Sequence, residues 1–222
     1  MNRHINTENK KLINDFLDTI ELNMGKLQSL NKNEQLQLLM TRTLTNISNC
    51  NYDLFTDRDF NISPYHIINK IIYSNYAMGW ELNIAFKFVL QNLGFKVKFI
   101  NTYIDYSKIS PHMALKVKIK GKNYYVNVGF GKHFLTPILL KKNLYQGDTK
   151  VERLRGKYYL FLFDRYDYKF GTIQISNKKF NLNTFYDKLF DCNNIYNIFN
   201  TNMYRYNSII IDGIYHENFI FS

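Results

Sequence analysis

Cysteine, proline and tryptophan are scarce in this sequence of 222 residues, which contains two, three and one of them, respectively. The two cysteines, Cys50 and Cys192, lie far apart and form no CxxC pair, which disfavours a secreted scaffold held by disulfides. No stretch approaches the roughly 18 consecutive apolar residues that a membrane-spanning helix needs. The N-terminal segment from Met1 to Thr7 is polar and lacks the apolar core of a signal peptide. We therefore expect a protein of the cytoplasm with no membrane partner.

Runs of charge are also missing, although the formal net charge is +11. The sequence has no run of five or more basic residues, no aromatic RNA-binding motif and no zinc-finger spacing. Lys116, Lys118, Lys120 and Lys122 alternate along one predicted strand and into its turn, a pattern typical of a solvated strand face. The dispersed arrangement of the charge and the missing motifs therefore disfavour nucleic acid as a partner. A small-molecule ligand or a protein partner stays possible, and the oligomeric state stays open.

Apolar residues, in contrast, are abundant. They make up 45% of the chain, and 18 Phe and 18 Tyr account for most of the 17% that is aromatic. Such a chain can bury a substantial core, which excludes intrinsic disorder. Its length suits one large domain or a few small lobes that share an interface.

Helical periodicity dominates the first part of the chain. Thr7 is predicted to cap a first helix that ends at Gly25, and a second helix begins near Asn31. After a predicted polar loop at residues 48–62, Ser63-Pro64 opens a third helix. A fourth helix, with Trp80, Ile84, Ala85, Phe88 and Val89 on its buried side, ends at Gly94.

The hydrophobic period changes to two after Gly94, which predicts strands. Further strands are predicted up to the C-terminus, where Asp212-Gly213 is a favoured hairpin turn. A short helix interrupts them at 182–190. The order of elements predicts an α+β chain of three joined lobes: a helical lobe (1–93), an antiparallel β lobe (94–165) and a small α/β lobe (166–222).

Three segments have the layout of a cysteine-dependent acyl-transfer site. In such a site a nucleophile at a helix start precedes a histidine, and an acid follows on a strand before Gly-Phe-Gly. The segments are Asn75-Tyr76-Ala77-Met78-Gly79-Trp80-Glu81-Leu82-Asn83, Pro111-His112 and Val126-Asn127-Val128-Gly129-Phe130-Gly131. The histidine is His112, but Gly79 stands at the position of the nucleophile and Asn127 at that of the carboxylate.

These motifs resemble the arylamine N-acetyltransferases, whose signature reads Arg-Gly-Gly-aromatic-Cys-aromatic-Glu-x-Asn, followed later by Val-Asp-Val-Gly-Phe-Gly. Leu93-Gly94-Phe95-Lys96-Val97 and Leu135-Thr136-Pro137 add to the resemblance. The resemblance implies an N-terminal helical bundle, a central antiparallel β-barrel-like sheet and a small C-terminal α/β lid, related to the cysteine-protease-like folds. CoA or acetyl-CoA is the cofactor that the resemblance implies, and no other is indicated.

The chemistry of that family shows what this chain lacks. A cysteine thiolate takes an acetyl group from acetyl-CoA and passes it to an amine, while the acid orients and supports the histidine. Gly79 offers no nucleophilic atom, and Asn127 can hydrogen-bond the imidazole of His112 without supplying charge. The family's arginine and two glycines are replaced by Asn75-Tyr76-Ala77, whereas Glu81 and Asn83 are kept.

No other group is an evident substitute for the nucleophile. Neither cysteine lies in a motif, and the hydroxyl groups of Ser74 and Tyr76 are weak acyl acceptors without activation. The remaining histidines are scattered along the sequence and predict no metal site; they are His4, His66, His133 and His216.

We therefore interpret the chain as a catalytically inactive pseudoenzyme that binds a small planar or anionic ligand, similar to CoA or a nucleotide, or a protein partner. The predicted ligand-binding residues are Tyr76, Met78, Trp80 and Phe130. The missing side chain at Gly79 is expected to enlarge the cleft, which the bulky side chains of Tyr76, Met78 and Trp80 can refill.

Two alternatives stay open at this point. One is a non-covalent acyltransferase or amide-forming enzyme, with His112 as general base and an acyl-CoA or acyl-thioester donor. The other is a scaffold whose former substrate channel is filled by Trp80 or Met78.

Overall fold

The computed structural model describes residues 7–54, 61–104, 111–130, 134–163, 169–189, 205–211 and 214–219. Within these ranges the chain forms six α-helices, a short 3-10 helix and twelve β-strands. The helices are α1 (Thr7–Thr19), α2 (Met24–Gln28), α3 (Lys32–Asn46), α4 (Pro64–Ser74), α5 (Gly79–Asn92) and α6 (Leu182–Leu189), and the 3-10 helix is Tyr52–Leu54. The strands are β1 (Ser48–Cys50), β2 (Tyr76–Ala77), β3 (Lys96–Ile104), β4 (Pro111–Ile119), β5 (Lys122–Val126), β6 (Ile138–Leu139), β7 (Leu144–Gln146), β8 (Thr149–Leu154), β9 (Lys157–Phe163), β10 (Lys169–Ile175), β11 (Arg205–Ile211) and β12 (Ile214–Phe219). The predicted α+β class is confirmed.

The predicted start of a second helix near Asn31 is confirmed, and in the structure a capping box fixes the start of α3. The Asn31 side chain accepts hydrogen bonds from the backbone N–H groups of Asn33 and Glu34, and the Glu34 carboxylate accepts one from the Asn31 N–H. Helix α4 begins at Pro64 as predicted, but the Ser63 side chain makes no capping hydrogen bond. Helix α5 ends before Gly94, which has a left-handed φ of 82°.

The predicted end of the first helix at Gly25 is wrong. Helix α1 stops at Thr19, and Gly25 lies inside the separate helix α2. Glu21 adopts a left-handed φ of 55°, and the Leu22 N–H donates to the Leu17 carbonyl, which turns the chain out of the helix. Glutamate is an uncommon residue at such a position, so the sequence carried no signal for this turn.

The predicted loop at residues 48–62 is wrong in its first part. Ser48–Cys50 forms β1, which pairs with β2 in parallel and with β11 in antiparallel orientation. A three-residue strand is too short to show an alternating hydrophobic pattern. This small sheet, in the order β12-β11-β1-β2, connects the C-terminal strands to the segment that precedes α5.

The main sheet is antiparallel and nearly closes into a barrel, as predicted. Its order is β6-β5-β4-β3-β10-β9-β8-β7. Gln146 links the two edge strands: its Oε1 accepts from the Leu139 N–H at 3.2 Å, and its Nε2 donates to the Pro137 carbonyl at 2.8 Å. The three-lobe division stays a prediction, and two pairings cross its boundaries, because β10 pairs with β3 and β11 pairs with β1.

The register of β3 against β4 places four lysines on one face of the sheet. Lys96 lies opposite Lys118, and Lys98 lies opposite Lys116. Since side chains alternate along a strand, residues two apart share a face, so the two like-charged pairs are neighbours. Desolvation lowers the pKa of Lys116, and repulsion from Lys98 adds to this effect.

Helix α5 is the central element of the hydrophobic core. It packs against β3 and β4 on one side and against α1 and α4 on the other. Nine of its fourteen residues are buried, including Trp80, Phe86 and Val89. A helix that is apolar on most sides is an interior helix, so its N-terminus is held at a fixed place in the fold. None of the helices in the described ranges has the length and apolarity to cross a bilayer.

Candidate active site

The N-terminus of α5 lies in direct backbone contact with the segment that follows β5. A Cβ atom added to Gly79 would lie 2.5 Å from the Gly129 carbonyl oxygen, a distance that real Cβ atoms do not adopt. Gly129 is equally restricted, because its own Cβ would collide with the backbone of Gly79. The absent side chain therefore leaves no enlarged cleft at this point, and the expectation that it would is wrong. The two glycines let the backbones close onto each other.

Asn83 holds these two segments together from inside α5. Its two Nδ2–H groups are shared among three acceptors: the Gly79 carbonyl at 3.0 Å, the Met113 carbonyl at 3.1 Å and Asn127 Oδ1 at 3.0 Å. Its Oδ1 accepts from the Val128 N–H at 3.3 Å. Asn83 and Asn127 are both fully buried. A buried amide with this many partners fixes the geometry around it.

Asn127 in turn fixes His112. Asn127 Oδ1 accepts from the Gly129 N–H at 3.0 Å, and a backbone N–H can only donate, so the orientation of the side-chain amide is determined. Asn127 Nδ2 then donates to Tyr125 Oη at 3.0 Å and to His112 Nε2 at 2.9 Å. We therefore assign Nε2 as an acceptor, which puts the proton of the neutral imidazole on Nδ1.

The surroundings of His112 disfavour its charged form. Desolvation lowers the pKa of His112 to about 4. An aspartate at position 127 would accept a hydrogen bond from the Nε2–H group and stabilise the imidazolium, whereas the asparagine donates and does neither. His112 is thus neutral and weakly basic at pH 7.

Aromatic rings complete the wall beside His112. The Phe130 ring meets the imidazole edge-on at a centroid distance of 5.4 Å and contacts Phe134 at 5.6 Å. Phe134 packs against the Tyr125 ring at 5.0 Å. Of the four predicted ligand-binding residues, Phe130 is therefore the one that the described contacts place against the histidine.

The other three lie elsewhere. Met78 is fully buried, and Trp80 is 4% exposed, so both are part of the core. Tyr76 is partly buried, and its hydroxyl donates to Asp53 at 3.1 Å. The Ser74 hydroxyl is likewise engaged, because its Oγ donates to the Lys70 carbonyl at 2.7 Å.

Sequence analysis missed an ionic cluster beneath the start of α5. The Lys70 ammonium group of α4 pairs with Asp53 and, at 2.6 Å, with Glu81. Glu81 also accepts from the Met78 N–H at 2.8 Å. Burial raises the pKa of Glu81, and the adjacent ammonium group opposes this shift. Lys70 thus binds the Glu81 carboxylate, which the family signature retains. The one feature of the sequence that could have indicated this cluster was a lysine between the isoleucines of α4.

Cys50 does not replace the missing nucleophile. The residue is 4% exposed, and its sulfur accepts a hydrogen bond from the Tyr52 N–H at 3.4 Å. Burial raises the pKa of the thiol, although Arg205 and Lys70 partly oppose this effect. A protonated, buried thiol is unreactive. Cys192 lies outside the described residues, as do His4, Gly131 and His133.

Metal ligands are not grouped in the part of the chain that the structure describes. No cluster of three or more His, Cys, Asp or Glu side chains there could hold a metal ion. What the described site can offer chemically is a neutral imidazole, an amide network and the N-terminus of α5.

Comparison with known proteins agrees with this architecture. The N-acetyltransferase family profile matches residues 33–186. An uncharacterized acetyltransferase of Acanthamoeba polyphaga mimivirus is 30% identical over 135 residues, which cover 58% of this chain and 60% of that protein. The pineal gland arylamine N-acetyltransferase isozyme of Gallus gallus is 36% identical over 74 residues, which cover 30% of this chain and 25% of that enzyme. The match thus spans about three fifths of the length of the viral relative.

Solved structures show the same fold at low sequence identity. The arylamine N-acetyltransferase of Salmonella typhimurium superposes with a TM-score of 0.77 at 15% identity, over 94% of this chain and 78% of that one. The Mycobacterium marinum enzyme, solved in complex with CoA, gives 0.77 at 17% identity, over 93% and 80%. The family profile covers more than half of the sequence, and the fold agrees along nearly all of it. The chain is therefore a member of the arylamine N-acetyltransferase family.

Proposed function

We propose that this chain is a catalytically inactive member of the family, a pseudoenzyme that serves as a binding protein. One observation carries the proposal. The nucleophile is missing because residue 79 is a glycine, and the space for a side chain there is closed because the backbone of Gly79 is packed against Gly129. Family chemistry passes the acetyl group through a thiolate, and no atom at position 79 can hold it.

The state of His112 supports the same conclusion. A general base works best when its pKa is near the operating pH, and the pKa of His112 is about 4. Its Nε2 lone pair is already engaged by Asn127 Nδ2 at 2.9 Å. Both facts disfavour the alternative of a non-covalent acyltransferase that uses His112 as base. The activity test below distinguishes that alternative from the pseudoenzyme.

The ligand that we propose is a small planar or anionic molecule such as CoA or a nucleotide. The net charge of +11 favours an anion, and the M. marinum relative was solved in complex with CoA. Phe130, which lies against His112, is the residue of the described site best placed to stack on a planar group. A protein partner is the alternative for the same surface.

Two measurements test this proposal. The first follows release of free CoA thiol from acetyl-CoA in the presence of an arylamine, with the His112→Ala variant and an active family enzyme as controls. We expect no turnover above the variant; turnover that the variant loses would establish the non-covalent enzyme. The second is calorimetric titration with CoA, acetyl-CoA and AMP. Saturable heat supports the ligand, and its absence favours a protein partner.

A further inference from the structure

A half-open cavity of about 400 Å³ lies in the helical part of the molecule, away from Gly79 and His112. Side chains from α1, α2 and α3 line it together with the turn that follows α5. At the volume that water occupies in the liquid, the cavity has room for about a dozen water molecules. Its size is within the range of small-molecule sites, roughly 300 to 1,000 Å³. It therefore has room for a ligand of about a dozen non-hydrogen atoms.

The lining is apolar at the bottom and cationic at the rim. Ile13 is 3% exposed and Leu27 is 1% exposed, whereas Lys10 and Lys32 are exposed side chains. Among the ten lining residues, both charged side chains are lysines and none is a carboxylate. A site built in this way favours a ligand with an apolar body and an anionic end.

The ammonium group of Lys32 is held in place at this rim. It donates to Gln35 Oε1 and to the Leu93 carbonyl, both at 2.9 Å, and lies 4.5 Å from the centre of the Phe95 ring. An ammonium group has three protons, so one N–H remains for a ligand after these two hydrogen bonds. Local desolvation lowers the pKa of Lys32, and a bound anion would oppose that shift.

We propose that this cavity binds a small amphipathic carboxylate, with its apolar part against Ile13 and Leu27 and its carboxylate at Lys32 and Lys10. The simpler interpretation is that Lys32 only satisfies the last carbonyl groups of α5. That role explains the hydrogen bond to Leu93, but it does not explain an open apolar cavity beside the lysine. The inference does not depend on the proposed function, because it involves none of the residues around His112.

Octanoate is a suitable probe, since it combines eight carbons with one carboxylate. We expect calorimetric titration of the full chain at pH 7 to show one saturable site. Lys32→Met removes the charged partner and should weaken binding about tenfold or more. Lys118→Met, a change at an exposed lysine on the sheet, is the matched control and should leave binding unchanged.

A second variant keeps the test valid if Lys32→Met disturbs the end of α5. Gln28→Trp changes an exposed lining residue and should fill the mouth of the cavity, with loss of octanoate binding and no loss of fold. Binding of 1-octanol as tight as that of octanoate would overturn the proposal. It would also be overturned if octanoate gave no saturable signal or bound both variants like the unmodified chain.

Discussion

The packing of Gly79 against Gly129 can be measured through the Gly79→Ala substitution. The added Cβ would lie 2.5 Å from the Gly129 carbonyl oxygen, and the backbone rather than a flexible side chain would have to move. Overpacking of this kind costs about 1–3 kcal/mol. Alanine regains up to about 1 kcal/mol over glycine in a helix. We expect a net loss of about 1–2 kcal/mol in the free energy of unfolding.

Equilibrium unfolding in urea measures this loss, with thermal unfolding as a second probe. For a chain of this size, 1 kcal/mol corresponds to about 2–4 °C, so Tm should fall by about 2–8 °C. Gly25→Ala is the matched control, because its Cβ would meet only Asn23 Oδ1 at an ordinary 3.5 Å. That change lies in α2 and should be neutral or stabilising by up to about 1 kcal/mol. A Gly79→Ala variant as stable as the Gly25→Ala variant would refute the close packing.

Three other substitutions test the surroundings of the site. Asn127→Asp gives the imidazole a carboxylate to donate to, so the pKa of His112 should rise from about 4 by at least one unit in an NMR titration. Lys70→Met leaves buried carboxylates without their cation and should cost about 3–5 kcal/mol in urea unfolding at pH 7, and less at pH 4, where carboxylates bind protons. Lys98→Glu places an opposite charge beside Lys116 and should add about 0.2–1 kcal/mol at low salt.

Each of these predictions can be contradicted by a specific result. An unchanged titration in the Asn127→Asp protein would mean that the amide does not contact Nε2. Full stability of the Lys70→Met protein would mean that the ionic cluster does not stabilise the fold. If the Lys98→Glu protein were less stable than the parent, the two lysines would not face each other across the strands.

The same histidine predicts how stability depends on pH. The pKa of His112 is about 4 in the folded protein and about 6.5 in the unfolded chain, so the unfolded state binds more protons between these values. This contribution to stability is therefore fully present above about pH 6.5 and is lost as the pH falls toward 4. The difference in the free energy of unfolding between the two ends of this interval that is due to His112 is about 3 kcal/mol. Replacing His112 with glutamine should flatten urea-unfolding stability over this interval, and an unchanged slope would contradict the assignment.

Much of the fold could be predicted from the sequence, because its signals are local. The helix start near Asn31, the Ser63-Pro64 start and Gly94 after α5 each depend on a few residues, and the structure confirms all three positions. Strand β1 could not be predicted, because its three residues form a strand only through partners distant in the sequence, at β2 and β11. The left-handed turn at Glu21 likewise depends on context.

The site divides in the same way. The spacing of the motifs was sufficient to predict that Gly79, His112 and Asn127 belong together, since each occupies a family position. The contact between Gly79 and Gly129 could not be predicted, because a glycine specifies a missing side chain but not what moves into its place. Lys70 was missed because its carboxylate partners lie 11 and 17 residues away, beyond helical spacing.

If the chain is a pseudoenzyme, no covalent acyl-enzyme should form at this site. Intact-mass analysis of the unmodified chain after incubation with acetyl-CoA tests it most directly, with an active arylamine N-acetyltransferase treated in parallel. We expect an unchanged mass for this chain and an acetyl adduct on the active enzyme. An acetyl group on this chain, mapped to a peptide that contains the Gly79 or His112 segment, would contradict it.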